Sequence, residues 1–291
     1  MNVLSLFDGM SCGQIALNRA GFKINKYYAC EIDKYAIQVT QANYPNTIQL
    51  GDVTKVIVND LPLIDLLIGG SPCQDLSGIK SLEGKGLKGE KSKLFYEYVR
   101  ILNEVKLINP CVKFILENVK MKKEYQDIIS NLLGVEPIEI NSSLVSAQSR
   151  PRLYWTNLEN IQQPDDKKII LRDILEDKVD EKYYYDRPII NVDLTKQVCA
   201  ILDFKNQDMH KRVFNPEHKV HTLTACGGGN TEKKVLVNGR VRKLTPTEYE
   251  RAQTVPDGYS SSVSNSQRYK MLGNGWTVDV IVHILQSDLS L

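Results

Sequence analysis

The sequence lacks an apolar run long enough to cross a membrane. Its longest runs, such as residues 61–68, are far shorter than the roughly 20 residues that a membrane-spanning helix needs. The opening MNVLSLF has no basic segment of the kind that begins a secretion signal. We therefore expect a cytoplasmic protein that does not enter a membrane.

Closely spaced metal ligands are also missing. The cysteines are scattered and form no C-x-x-C pair, and the nearest cluster, His218, His221 and Cys226, has no fourth partner at zinc-finger spacing. A cytoplasmic chain of this size would keep such cysteines reduced. The sequence thus predicts neither a metal site nor a disulfide framework.

A strong overall charge is absent as well. The net charge of +2 identifies no partner, because phosphate binding depends on where the charges lie and not on their sum. With 42% hydrophobic and 25% charged residues, the 291-residue chain can bury one substantial core and a smaller second one. This composition is typical of a soluble globular protein.

What is present first is an alternation of strands and helices. Apolar runs at 3–7, 26–32, 64–68 and 112–116 read as buried strands, and helical spacing separates them. A helix predicted over 123–133 should end at Gly134. This pattern predicts an α/β fold with a Rossmann-like, doubly wound, mostly parallel sheet. After Asn157 charges, Pro and Gly interrupt the pattern, which indicates a smaller second domain.

Acidic residues follow three of the strand-like runs. The turn Phe7 to Gly13 connects a strand to a helix, Glu31 lies near the end of the next strand, and Asp52 follows a third. The carboxyl ends of strands in an open α/β sheet form a ligand-binding edge, and an acid there can bind ribose hydroxyls. An ordinary strand-turn-helix connection explains the same turn, since its spacing is not G-x-G-x-x-G.

A cysteine and a carboxylate follow two further strands. Cys73 lies in GGSPCQDLS before a segment rich in Gly and Lys, where a lowered pKa would make its thiol a nucleophile. Glu117 ends an apolar strand, where burial would raise the carboxyl pKa and favour proton donation. Arg150 and Arg152 alternate on an extended segment and could hold phosphate or a base oxygen. Each also has a structural reading: a core cysteine, a strand-end acid, a solvated basic pair.

Together these features resemble the C5-cytosine DNA methyltransferase family. Its ordered signatures are matched by Phe7 to Gly13, Gly70-Ser71-Pro72-Cys73-Gln74, Glu117-Asn118-Val119, Gln148-x-Arg150-x-Arg152, Arg242-x-Leu244-Thr245-Pro246 with the residues up to Pro256, and Leu272-Gly273-Asn274. Phe7-Asp8-Gly9 and Trp276 are details closer to the eukaryotic de novo enzymes than to most bacterial or phage enzymes.

The resemblance implies a function and a domain plan. The function is methyl transfer from S-adenosylmethionine, giving S-adenosylhomocysteine, to carbon 5 of a cytosine flipped out of double-stranded DNA. It also implies a catalytic and cofactor domain over 1–160, a target recognition domain over 161–266, and a return to the catalytic domain over 267–291. We expect a monomer, with a cognate restriction endonuclease encoded nearby as a candidate partner.

The same resemblance implies roles for individual residues. The catalytic residues are Cys73 as nucleophile, Glu117 at the base, and Arg152 supported by Arg150. The cofactor site is formed by Phe7, Asp8, Gly9, Cys12, Gly13, Glu31, Ile32, Asp52, Val53, Pro72, Leu94, Asn274 and Trp276. DNA is contacted by Gln74, Ser77, Lys80, Gln148, Thr222, Leu223, Thr224 and Gly228.

Charge clustering also favours DNA recognition within the expected target recognition domain. Residues 205–243 contain nine Lys and Arg against three Asp and Glu, the local excess that a DNA-facing surface needs. For any single residue of this range, an exposed basic loop is the alternative reading.

Two other functions remain open from the sequence. A transfer-RNA cytosine methyltransferase uses the same chemistry, and a non-catalytic DNA-binding relative would share the fold. An NAD-dependent oxidoreductase explains neither Cys73 nor the arginine pair, and the Asp/Asn-Pro-Pro-aromatic motif of amino-group methyltransferases does not occur.

Overall fold

A computed structural model describes residues 1–72 and 93–288. Within these ranges strands and helices alternate up to residue 141, and shorter strands follow. In chain order the elements are β1 (Asn2–Leu6), α1 (Cys12–Ala20), β2 (Lys26–Cys30), α2 (Lys34–Asn43), β3 (Ile48–Gln49), β4 (Leu66–Gly70), α3 (Lys93–Ile108), β5 (Lys113–Val119), α4 (Lys123–Leu133), β6 (Ile138–Asn141), β7 (Gln148–Ser149), β8 (Pro151–Thr156), β9 (Ile189–Ile190), β10 (Val198–Leu202), α5 (Asp208–Lys211), β11 (Arg212–Phe214), β12 (Val220–His221), β13 (Lys234–Val237), β14 (Arg240–Lys243), α6 (Pro246–Ala252), α7 (Asn265–Asn274) and α8 (Val278–Ser287).

The chain forms two compact units. The first comprises Met1–Ile140, Pro151–Gln163 and Val280–Leu291, and the second comprises Asn141–Arg150 and Pro164–Asp279. The units are therefore interleaved along the chain. The expected boundaries at 160 and 266 differ from this division, because 141–150 and 267–279 pack with the second unit.

A seven-stranded sheet forms the core of the first unit. Its order is β3-β2-β1-β4-β5-β8-β6, and β1 to β5 run parallel. The strand order reverses between β1 and β4, which is the switch point where doubly wound sheets bind ligands. β8 pairs with β5 in the antiparallel direction. This sheet confirms the predicted α/β class.

Sequence features explain how the helices pack on this sheet. A Cβ atom at Gly13 in α1 would collide with the side chain of Ile68 and lie 2.7 Å from the Tyr27 hydroxyl, so only glycine permits this close approach. α4 ends at Gly134, which adopts a left-handed conformation with φ of 76° and donates its N–H to the Ser130 carbonyl. The predicted helix and its glycine cap are confirmed.

The second unit contains a five-stranded sheet in the order β14-β13-β11-β10-β9 and a two-stranded sheet of β12 and β7. It contains a fully buried ion pair. Arg242 donates to both Glu248 oxygens at 2.6 and 2.7 Å, and Glu248 also accepts the Thr245 N–H at the start of α6. Because both charges are paired and hydrogen-bonded, their burial is tolerated.

Two kinds of feature are absent from the described ranges. No helix there is long and apolar enough to cross a membrane. No group of three or more metal-binding side chains occurs among the same residues.

Candidate active site

The loop after β1 has an unusual backbone. Phe7, Gly9 and Ser11 all lie in the left-handed region, with φ of 58°, 59° and 60°. Two of these are not glycine, so the conformation costs free energy and must be held by the surroundings. The Asp8 N–H donates to the Cys30 carbonyl at 3.0 Å, which fixes the loop to the end of β2.

Asp8 is the central side chain of this loop. Its carboxyl accepts hydrogen bonds from the Tyr27 hydroxyl at 2.8 Å and from the Ser11 hydroxyl. Burial raises the pKa of Asp8 to about 6, while hydrogen bonds from Ser11, Ser5 and Tyr27 act in the opposite direction, and the charge of Glu31 raises it further. Asp8 therefore changes its charge just below neutral pH.

Glu31 is held by the backbone. Its Oε2 accepts the Gly9 N–H at 2.8 Å, and its Oε1 accepts the N–H groups of Ile32 and Asp33 at 2.7 and 2.8 Å. A carboxylate oxygen can accept two hydrogen bonds, so Oε2 can still accept one from a ligand. The neighbouring Ile32 side chain is 78% exposed and offers a bare apolar surface beside this acid.

Asp52 lies after β3. Its Oδ1 accepts both the backbone N–H of Thr54 at 3.0 Å and the Thr54 hydroxyl at 2.9 Å. These bonds lower the pKa of Asp52 and orient the carboxylate. Asp8, Glu31 and Asp52 thus follow β1, β2 and β3, three neighbouring strands of one sheet.

A carboxylate and a guanidinium meet at the ends of β5 and β8. Arg152 Nε lies 2.9 Å from Glu117 Oε1, and the two side chains are only 13% and 12% exposed. In the parallel register of β4 and β5, Glu117 lies opposite Gly70. The pair is therefore beside the strand that leads into residue 73. Cys73 itself lies outside the described residues.

The strand end before residue 73 is fixed by a second contact. The Asn118 amide, in the residue after Glu117, donates from Nδ2 to Ser71 Oγ at 3.0 Å, and both side chains are buried. A Cβ atom at Gly69 would lie 2.9 Å from the Leu6 carbonyl oxygen, so the glycine allows β4 to approach β1 closely. Sequence reasoning did not identify Asn118 or Ser71 as contacting residues, although both lie inside motifs that it used.

The other expected cofactor residues of the first unit differ in burial. Cys12 and Val53 are buried, whereas Pro72 and Leu94 are half-buried. Sequence reasoning did not single out Tyr27, the hydroxyl donor to Asp8. Its position in β2 is a packing position in the sequence pattern, and no local signal indicates its hydroxyl contact.

Two expected functional residues have packing roles in the second unit. The Arg150 guanidinium donates to the carbonyls of Leu223, Gly273 and Gly275 at 2.8 to 3.1 Å. The fully buried Gln148 amide donates to the Ala252 carbonyl at 3.0 Å. Both side chains are therefore held by hydrogen bonds within the second unit.

The expected DNA contacts at residues 222–224 differ in how deeply they are buried. Leu223 is fully buried, and its N–H donates to Gln148 Oε1 at 2.8 Å, so its side chain is not available to DNA. Thr222 and Thr224 are half-buried, and the Thr222 hydroxyl donates to the Ser149 carbonyl at 2.7 Å. Gly228 has a φ of 119°, which favours glycine.

Five expected residues remain: two lie in the second unit and three lie outside the described residues. Asn274 is exposed and Trp276 half-buried in the second unit. A Cβ atom at Gly273 would collide with the backbone of Thr224 and Ala225, so this glycine permits a close approach within that unit. Gln74, Ser77 and Lys80 lie outside the described residues.

The fold and these strand-end side chains define a class of enzyme. The sequence profile of the C-5 cytosine-specific DNA methylases matches residues 1–134 and 138–288, and the chain belongs to this family. Membership confirms the predicted enzyme class, DNA cytosine-5 methyltransferase, and makes DNA the substrate.

Individual relatives agree with this assignment. The Haemophilus parahaemolyticus type II methyltransferase M.HhaI is 29% identical, over 98% of this chain and 93% of that protein. The orphan methyltransferase M.SPBetaI of Bacillus phage SPbeta is 26% identical, over 98% of this chain and 97% of that protein.

Solved structures show the same fold. The Entamoeba histolytica methyltransferase EhMeth aligns with a TM-score of 0.74 at 18% identity, covering 99% of this chain and 97% of that one. A DNA modification methyltransferase from an Escherichia coli prophage aligns with a TM-score of 0.71 at 19% identity, over 99% and 98% of the two chains.

Proposed function

We propose that this chain methylates carbon 5 of a cytosine in a specific sequence of double-stranded DNA, using S-adenosylmethionine and a covalent bond to Cys73. The observation that carries the proposal is the half-enclosed Glu117–Arg152 pair, which lies beside the strand leading to Cys73. A carboxylate and a guanidinium can together bind the polar edge of one cytosine. A cysteine close by can then attack the ring.

The chemistry follows from the weak nucleophilicity of cytosine carbon 5. The Cys73 thiolate forms a bond to carbon 6, which moves electron density to carbon 5. Glu117 holds ring nitrogen 3 and the exocyclic amine as charge develops, and Arg152 contacts the base oxygen or a flanking phosphate. Once carbon 5 carries the transferred methyl group, water removes the carbon 5 proton, the bond from carbon 6 to sulfur breaks, and Cys73 leaves as thiolate.

S-adenosylmethionine supplies an electrophilic methyl group on a positively charged sulfur. The residues of the first unit fit such a molecule. Glu31 Oε2 can accept a ribose hydroxyl, and the exposed Ile32 side chain offers an apolar surface for the adenine. Asp52 is oriented through Oδ1, which leaves Oδ2 for the adenine amine.

The other cofactor residues are proposed mainly because they lie in the matched sequence motifs. Phe7 would stack on the adenine, while Asp8, Gly9 and Cys12 would line the methionine end, where an acid suits a cation. The rest of the set is Gly13, Val53, Pro72, Leu94, Asn274 and Trp276.

DNA must present the target cytosine outside the stack, since neither Cys73 nor Glu117 can reach it inside a duplex. We propose Gln74, Ser77 and Lys80 as contacts to the opened DNA. In the second unit we propose Thr222, Thr224 and Gly228 as contacts. The roles of Gln148, Arg150 and Leu223 are better described as positioning, because each is buried and hydrogen-bonded.

The proposal also covers the cellular setting. We propose a cytoplasmic monomer that protects DNA from a cognate restriction endonuclease encoded nearby. The relative M.HhaI supports this role because it is named a type II methyltransferase. The relative M.SPBetaI is the contrasting case because it is named an orphan methyltransferase.

A covalent trap tests the mechanism. DNA containing 5-fluorocytosine in place of cytosine should remain bonded to the protein, because fluorine cannot leave as a cation and the last step is blocked. We expect a slower band on a denaturing gel with S-adenosylmethionine, and no such band with Cys73→Ser. A band with fluorinated transfer RNA but not with DNA would identify RNA as the substrate. No band with either nucleic acid would favour a non-catalytic binding protein.

A further inference from the structure

Two cations lie side by side in the larger sheet of the second unit. β11 and β13 run parallel, with Val213 opposite Lys234. Extending this register by one residue puts Arg212 beside Lys233. Like charges at neighbouring strand positions repel each other, so this arrangement destabilises the sheet.

The Phe214 ring lies next to the Lys233 ammonium and the His221 ring. The Lys233 ammonium lies 5.9 Å from the centroid of the Phe214 ring, and the His221 ring packs against Phe214 edge-on at 4.9 Å. Arg212 precedes Phe214 by two residues on β11 and so shares its face. We call Arg212, His221 and Lys233, arranged around Phe214, the basic cluster.

The basic cluster has no balancing acid. In residues 1–72 and 93–288, no ion pair within 4 Å involves Arg212 or Lys233. The nearby Glu232 is paired with Lys243 at 3.4 Å. Lys233 is only 8% exposed. Burial lowers the pKa of Lys233 to about 8, and the charge of Arg212 acts in the same direction while Cys226 opposes it.

The next residue shows how this sheet satisfies a buried lysine when the role is structural. Lys234 is fully buried, and its ammonium donates to the carbonyls of His210, Asn230 and Glu232 at 2.7 to 2.9 Å. All three N–H groups are therefore used. Lys233, one residue away and almost as buried, has no equivalent set of acceptors among the described residues.

We propose that Arg212 and Lys233 bind one backbone phosphate of the DNA, with Phe214 and His221 as the walls of the site. A phosphate supplies the missing negative charge and accepts hydrogen bonds from both cations. Contacts of this kind fix the position of a protein on the duplex without reading bases. The inference rests on the proposed function, since it assumes a DNA substrate.

The test measures duplex binding by fluorescence anisotropy over a range of KCl concentrations, with the full chain and S-adenosylhomocysteine. We expect Lys233→Met and Arg212→Gln each to reduce the slope of log affinity against log salt by about 1, and to weaken binding roughly five- to tenfold at moderate salt. Lys196→Met is the matched control, because Lys196 is exposed and paired with Asp193.

A second measurement separates this site from a structural role. Thermal unfolding should show a higher Tm for Lys233→Met, because an unpaired, nearly buried charge is replaced by an apolar side chain of similar shape. An unchanged salt slope, or a lower Tm, would overturn the phosphate site while leaving the proposed function intact. A wild-type chain that does not bind duplex DNA would contradict the proposed function and this inference together.

Discussion

Two clusters of charged side chains, one in each compact unit, have opposite signs. In the first, Asp8, Glu31 and Asp52 follow three neighbouring strands, and none of them is paired with a cation among the described residues. In the second, no ion pair within the described ranges involves Arg212 or Lys233. An acidic edge suits a cationic ligand, and a basic face suits a polyanion. These two sites therefore differ in the sign of their unpaired charge, although the net charge of the chain is only +2.

Glu117 and Arg152 neutralise each other's charge, so the comparison of unpaired charges does not include them. Removing this pair should have the largest effect on activity. We expect Glu117→Ala to lower kcat by about 10²- to 10⁴-fold, because the variant loses the group that holds the base as charge develops. S-adenosylmethionine affinity should be unchanged, since no proposed cofactor contact is lost.

Glu104→Ala is the control for that variant, because Glu104 also pairs with an arginine of the first unit, at 3.0 Å from Arg100. A Glu117→Ala variant with near wild-type kcat would show that the balanced pair is structural only.

In the second unit, the two adjacent lysines should respond in opposite directions. Lys234→Met leaves three carbonyls, one in a buried and two in partly buried hydrogen bonds, without their donor and should lower the free energy of unfolding by about 2 to 4 kcal/mol. Chemical denaturation of Lys234→Met and Lys233→Met in parallel measures the contrast. If both variants lose the same free energy of unfolding, Lys233 and Lys234 do not differ in how well their ammonium groups are hydrogen-bonded.

The smallest expected effect is a pH dependence in the first unit. S-adenosylmethionine is a cation, so it should bind best when Asp8 is ionised, and binding should weaken as the pH falls through about 6. Between pH 7 and pH 5.5 the ionised fraction of such a group falls roughly fourfold, and the Kd should rise by a similar factor.

Calorimetric titration at several pH values measures this change. In Asp8→Asn the Kd should be higher than in the wild type. It should also be nearly independent of pH between about 5.5 and 7, because no ionisable group remains at the position. The same pH profile in wild type and variant would assign the effect to another residue.

Local patterns in the sequence predicted much of the fold. The helix at 123–133 and its cap at Gly134 are encoded by side-chain spacing and one glycine, and both are confirmed. The strands before Asp8, Glu31 and Glu117 were equally visible as apolar runs.

Contacts between distant segments could not be predicted in the same way. Gln148 is buried because residues about a hundred positions later supply its partners, among them Ala252 and Gln253. The pairing of Glu117 with Arg152 depends on the antiparallel placement of β8 beside β5, which no spacing rule specifies. The interleaved units arise for the same reason, since 141–150 joins the second unit through long-range packing.

Bisulfite sequencing of DNA from a methylation-free host that expresses the chain tests the central claim most directly. The account predicts 5-methylcytosine in one recurrent sequence context, and none in a host that expresses Cys73→Ala. Unmethylated DNA from cells that contain the soluble wild-type protein would contradict it.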